Sequence, residues 1–179
     1  MLILILLLGS LSLWVPGFAA TENLLSLLQT VSILGILGLG MAVVIIGRGI
    51  DLSMIATLVV PPALLLELVQ NGHSLSAAFL AALCLTLVFG VVNGWLIAYA
   101  EISPLFVTLA TGLLLAGIGQ MSFFTLEVIQ WSPSMNPLLW LGQGRAILGV
   151  PNSIFIFVFV TFIVGYFIRG LRLGRFFLA

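Results

Sequence analysis

Long apolar runs separated by short polar connections dominate the pattern along this chain. Runs at about 2–20, 24–46, 52–69, 75–99, 104–126 and 152–168 each approach the roughly 20 residues that a helix needs to cross a bilayer. Between them lie Thr21-Glu22-Asn23, a polar knot at 47–51, the turn Gln70-Asn71-Gly72-His73-Ser74, the turn Ala100-Glu101-Ile102-Ser103, and a longer segment from 127 to 151. Backbone in lipid must satisfy its own hydrogen bonds, so such runs predict helices, and the four short connections predict antiparallel neighbours. The expected fold class is all-α: a polytopic membrane helix bundle of about six transmembrane helices, with residues 1–179 forming one transmembrane domain.

Composition agrees with that pattern. Hydrophobic residues make up 63% of the chain and charged residues 6%, whereas a soluble domain is about a quarter charged. Mean hydropathy is +1.39. The basic residues are all arginine and the formal net charge is zero. That leaves no basic patch for nucleic acid, which is excluded as a partner; the lipid bilayer is the expected surroundings. Residues 1–8 lack the basic region of a signal peptide, and the apolar character runs on to Ala20, so a first span is expected there. Six spans put both termini on one side, with Arg48, Arg169, Arg172 and Arg175; Arg145 lies opposite. By the positive-inside rule both termini are expected in the cytoplasm and 127–151 outside. That segment holds Trp131, Pro133, Pro137 and Trp140. Interfacial tryptophan is the ordinary reading, and the length leaves room for a surface helix or a re-entrant loop that could dock a partner.

Small residues recur at helical spacing. Gly35, Gly38 and Ala42 share a face of the second run, Gly90, Gly94 and Ala98 one of the fourth, and Thr108, Gly112 and Ala116 one of the fifth. Lipid supplies no hydrophobic drive for helices to associate, so close backbone approach must supply the contact. Pro61-Pro62 should kink or break the third helix. Glu67 and Gln70, at the end of that helix, read as side chains that snorkel to the interface. Ser103 reads as an N-cap, with Pro104 at the first helical position.

Candidate chemistry is sparse. No phosphate loop, HExxH motif or Ser/His/Asp set is present. His73, the one histidine, lies in a polar turn and reads as a solvated loop residue; Cys84 reads as a packing residue with no disulfide partner and no metal set. No cofactor, metal or catalytic residue is expected, and ATP hydrolysis would need a separate subunit. The knot Gly47-Arg48-Gly49-Ile50-Asp51-Leu52-Ser53 is the most specific stretch. Structurally, a glycine tolerant of positive φ ends the second helix, Asp51 or Ser53 caps the third, and Arg48 can pair with Asp51. Functionally, a broken helix could place backbone and charge beside a translocation path. Asn93 has the same two readings: an interhelical hydrogen bond, or a place in the pore lining.

These motifs resemble the membrane-spanning permease subunits of bacterial ABC sugar importers of the ribose/galactose/xylose/arabinose type. The knot resembles that family's T-G-G-I-D-L-S-V-G. Residues 90–98 resemble G-x-x-N-G-x-L-x-A, residues 102–111 resemble I-x-P-F-I-x-T-L-x-T, and residues 169–179 loosely resemble R-T-x-x-G-R-x-x-x-A. Arg48 stands where the family has glycine, Met54-Ile55 where it has Val-Gly, and Ala116-Gly117 where it usually has Arg-Gly. Family permeases have about ten spans, so the resemblance implies that this chain is the first part of such a fold, incomplete at its C-terminus.

The resemblance implies half of a translocation pathway for monosaccharide uptake in the bacterial inner membrane. It implies a second permease subunit, alike or related, a periplasmic sugar-binding protein and ABC ATPase subunits. Gly47, Gly49, Asp51, Ser53, Asn93, Gly94 and Thr108 are then the candidates for lining the pathway or fixing the bundle around it. Arg172, Gly174 and Arg175 fall in the ATPase-contact region. The alternatives are a branched-chain amino-acid permease, a stand-alone secondary transporter or channel, and a non-transporting remnant. The near absence of charge in the spans favours a neutral solute over a zwitterion.

Overall fold

A computed structural model describes residues 2–122, 133–145 and 149–170. The apolar runs form helices α1 (Leu2–Trp14), α2 (Thr21–Ile46), α3 (Met54–Gln70), α4 (Leu75–Ala98), α5 (Pro104–Ser122) and α7 (Asn152–Gly170). A 3-10 turn at Pro133–Met135 leads into the short helix α6 (Asn136–Gln143). No strand occurs among the described residues, so the chain is an all-α membrane helix bundle. Helices α2, α4, α5 and α7 have the length and apolarity of membrane spans, and α3 is a shorter apolar helix of 17 residues.

The first run departs from expectation. Its helix has 13 residues, about 20 Å at 1.5 Å per residue, which is short of a hydrocarbon core about 30 Å thick. Pro16-Gly17 explains the early stop. Gly17 takes φ 81, and the Phe18 N–H bonds the Val15 carbonyl at 3.1 Å in a turn. The double proline does not break α3, which runs from Met54 to Gln70. Proline's fixed φ suits a helix; what Pro61 and Pro62 withdraw is the two N–H donors that the Thr57 and Leu58 carbonyls would otherwise use.

The described residues fall into two compact units. One comprises residues up to Gly40 together with those from Leu138 onward, and the other is Met41–Pro137. In the second, α3 packs against both α4 and α5, which also touch each other. Its core is Val60, Ala63, Leu65 and Val69 of α3, Ala78 and Ala82 of α4, and Val107 and Leu115 of α5. Many large apolar side chains face outward, among them Ile55 (72% exposed) and Val91 (69%). Lipid tails are as apolar as leucine, so such faces are stable in a bilayer and helix contact rests on packing.

Two helices of this unit end in the same reversal. After α3 the Gly72 N–H bonds the Val69 carbonyl at 3.1 Å and the His73 N–H bonds the Leu68 carbonyl at 3.0 Å, with Gly72 at φ 86. After α2 the Arg48 N–H bonds the Ile45 carbonyl at 2.9 Å and the Gly49 N–H bonds the Val44 carbonyl at 3.0 Å. Both are Schellman motifs, which place one residue in the left-handed region. The sequence led us to expect a glycine there after α2; the residue is Arg48, at φ 58.

In the first unit Gly35 of α2 receives the Phe157 ring of α7, closely enough that a Cβ on Gly35 would lie 2.5 Å from it. The Gln29 amide donates to the Gly142 carbonyl at 3.0 Å. Gly38, on the same predicted face as Gly35, meets open space.

Candidate functional site

Asp51 organises the knot. Its Oδ1 accepts from the Ser53 N–H at 2.8 Å and from the Ser53 hydroxyl at 2.6 Å. Ser53 itself has αR backbone and makes no side-chain cap bond. Neither Asp51 nor Ser53 therefore bonds an N–H of the first turn of α3: Asp51 closes a turn onto Ser53, the N-cap residue, and an acid at that end complements the positive pole of the helix. Arg48 forms no ion pair with Asp51: the ion pair found among the described residues joins Arg145 to Glu22.

Thr108, one turn into α5, is buried and fastens both sides of Asp51. Its hydroxyl accepts from the Leu52 N–H at 3.0 Å and lies 3.1 Å from the Ile50 carbonyl and 2.8 Å from the Pro104 carbonyl, to which it can donate. Gly112, one turn further along the same face, lets α5 close on the knot. A Cβ there would lie 3.0 Å from the Ser53 Cα and 3.4 Å from the Leu52 carbonyl. The small-residue face of α5 thus packs as its spacing predicts.

Asn93 brings α4 into this corner through a long contact of 3.4 Å from its Nδ2 to the Ser53 hydroxyl. Its Oδ1 is buried with no partner. The structure therefore joins Asp51, Ser53, Asn93 and Thr108 into one polar cluster where three helices meet, with Gly49 packed beside Val44. Gly94 stands apart: it is exposed, and like Gly90 it has open space where a Cβ would project. Gly47 is the exposed residue at the end of α2. Arg172, Gly174, Arg175 and Trp131 lie outside the described residues. Among the described residues no group of His, Cys, Asp and Glu could hold a metal ion.

From Leu52 an apolar groove of about 320 Å³ runs between α3 and α5, past Ala56, Gly112 and Ala116 to Gln120. Small side chains line part of it, which is what opens the space. Glu67 differs from the snorkelling reading. It is half-buried, and its Oε2 is shut off from solvent without a partner.

The first unit holds a polar latch that sequence reading missed. Arg145 grips Glu22, in the first turn of α2, with two bonds of 3.1 and 2.7 Å. These bonds hold the guanidinium further toward its charged form. The Asn152 side chain donates to the Trp140 carbonyl at 2.7 Å, and the Asn152 N–H donates to the Gly144 carbonyl at 2.8 Å. Gly144 is irreplaceable in this geometry, because a Cβ would collide with the Trp140 carbonyl and lie 2.9 Å from the Asn152 amide nitrogen. Glu22 and Arg145 are 123 positions apart, and no local pattern marks them as partners.

Four helices with the length and apolarity of membrane spans define a polytopic integral membrane protein. Its family follows from comparison with known proteins. Residues 23–179 match the family described as branched-chain amino acid transport system / permease component, and the chain belongs to that family. It is 33% identical over 178 residues to the ribose import permease protein RbsC of Escherichia coli K12, an alignment covering 98% of this chain and 54% of that protein. It is 30% identical to the fructose import permease protein FruF of Bifidobacterium longum, covering 84% of this chain and 42% of the relative. Similarity to the xylose transport system permease protein XylH of Haemophilus influenzae is 35% identity, over 72% of this chain and 34% of the relative. The chain spans about half the length of these relatives. No solved structure matches it.

Proposed function

We propose that this chain supplies membrane-spanning helices of a permease subunit in an ATP-driven monosaccharide importer, forming half of the translocation pathway. The observation that carries this reading is its similarity along 98% of its length to a ribose import permease. The uncharged faces of its spans support a neutral solute. In this reading the subunit pairs with a second permease, receives solute from a periplasmic sugar-binding protein, and is driven by separate ABC ATPase subunits. The permease itself performs no hydrolysis. The 47–51 knot and the C-terminal end of α7 face the cytoplasm of a bacterial inner membrane, as the arginine distribution supports; the N-terminus joins them there if the first run also crosses. Asp51, Ser53, Asn93 and Thr108, with Gly47 and Gly49 nearby, fix the bundle around the path, Gly94 borders the path, and the region of Arg172, Gly174 and Arg175 contacts the ATPase.

The test is deletion of the reading frame, followed by uptake of labelled ribose, xylose, fructose and leucine. Loss of uptake of one sugar, with leucine uptake intact and restored by the reintroduced frame, is the expected result. Loss of leucine uptake alone would place the subunit with amino-acid importers. Unchanged uptake of every solute would overturn the reading.

A further inference from the structure

Helix α6 has eight residues, and none of its described side chains is buried. An isolated helix that short is unstable in water, and most helices in proteins are held by a packed apolar face. This one has no such face, since Leu139, Trp140 and Leu141 are all exposed. Polar ties fix its last turn instead.

Those ties come from two different helices. The last carbonyls of a helix have no donor within it and must find one elsewhere. The Gly142 carbonyl takes its donor from Gln29 of α2, at 3.0 Å. The Trp140 carbonyl, already bonded to the Gly144 N–H, takes a second donor from the side chain of Asn152, the first residue of α7, at 2.7 Å. The Asn152 N–H holds the Gly144 carbonyl at 2.8 Å, and Arg145 then grips Glu22 of α2. The turn is therefore complete only while α2 and α7 stand at one spacing.

That spacing is set deeper in the same unit, where the Phe157 ring of α7 occupies the place a Cβ on Gly35 of α2 would need. Gly35 lies about 9 Å along α2 from Gln29, and Phe157 about 7.5 Å along α7 from Asn152, at 1.5 Å per residue. The two contacts lie at matching depths below the ties.

We propose that the last turn of α6, with Gly144 and Arg145, is a conditional element. It is folded while α2 and α7 keep the spacing that Gly35 and Phe157 set, and it is released when the two helices part. Release unpairs Arg145 from Glu22 and bares the carbonyls of Trp140, Gly142 and Gly144. A change of spacing between the helices is thereby displayed at their ends as new charge and new hydrogen-bonding groups. Caps drawn from two helices respond to the separation of those helices, which a cap from one helix would not.

The experiment is amide hydrogen exchange of the full-length protein in nanodiscs, read on the peptide covering 138–145. Gly35→Val drives a side chain between α2 and α7 well away from the turn. Adding Phe157→Ala gives that side chain room, and Gln29→Leu removes one tie directly. Exchange in the peptide is expected to quicken about tenfold in Gly35→Val and in Gln29→Leu, the factor that one or two net hydrogen bonds provide. It should return toward the unmodified rate in the double variant, with protection of α3, α4 and α5 unchanged throughout. Unchanged exchange in Gly35→Val would overturn the conditional turn, even where Gln29→Leu loosens it, because the ties would then be an ordinary cap. Quickening that spreads to α3, α4 and α5, or that persists when Phe157→Ala is added, would overturn it in favour of general unfolding.

Discussion

Replacing Thr108 with valine removes one oxygen and keeps the side-chain shape. The structure gives that oxygen two long-range partners: it accepts from the Leu52 N–H at 3.0 Å and lies 3.1 Å from the Ile50 carbonyl. The third partner, the Pro104 carbonyl, lies four residues back in the same helix and keeps the Thr108 backbone N–H as its helical donor. The loss therefore falls on Leu52 and Ile50. Stranding a buried donor costs about 1–3 kcal/mol and losing a neutral hydrogen bond about 0.5–1.5 kcal/mol. Because both groups are part-buried, we take about 2 kcal/mol, equivalent to roughly 30-fold faster exchange of the Leu52 amide hydrogen if exchange proceeds by local opening. Thr108→Ser keeps the hydroxyl and serves as the control. The assay is amide hydrogen exchange of the full-length protein in detergent or nanodiscs, read on the peptide containing Leu52. Equal protection of that peptide in the Val and Ser variants would refute the pinning role of the hydroxyl.

Asp51→Ala should destabilise the start of α3 by about 1 kcal/mol through loss of the bonds that hold Ser53, while Asp51→Asn, which keeps an acceptor oxygen, should recover most of that. Resistance to unfolding as dodecyl sulfate is added to mixed micelles measures both. Gly144→Ala should cost about 1–3 kcal/mol, as overpacking does, and should open the 142–152 segment to limited proteolysis; an unchanged digestion pattern would refute the clash. A cysteine replacing Arg145 should react with an impermeant thiol reagent added to intact cells. Labelling only after the membrane is permeabilised would invert the proposed orientation.

The helices were legible because apolar run length is a bulk signal, and the ends of α3 and α4 and the start of α5 fall within a few residues of the expected edges. The corner was partly legible. Asp and Ser two positions apart announce a cap, but whether either acts is a matter of backbone torsion: Ser53 is already in the helical region, and Asp51 bonds Ser53 in place of the first turn. Glycine content suggested which residue would take positive φ, yet hydrogen-bond register put Arg48 there between two glycines. Small-residue spacing shows that close approach is sterically open and says nothing about which neighbour fills it: Gly112 is filled by the knot, while Gly90 and Gly94 stay open. Glu67 was read from its position in the helix, but the burial of its Oε2 depends on how neighbouring helices cover that turn. The Glu22–Arg145 latch was illegible, since its two halves meet only through the tertiary path of the chain.

The contact of Gly112 with Ser53 has a mechanical consequence. With backbone against backbone there, no compliant side chain cushions the junction, and the Thr108 hydroxyl ties the same helix to the loop one turn away. A tilt of α5 must either carry the start of α3 with it or break those ties. The corner is built to swing as one piece, like a hinge plate rather than a hinge pin.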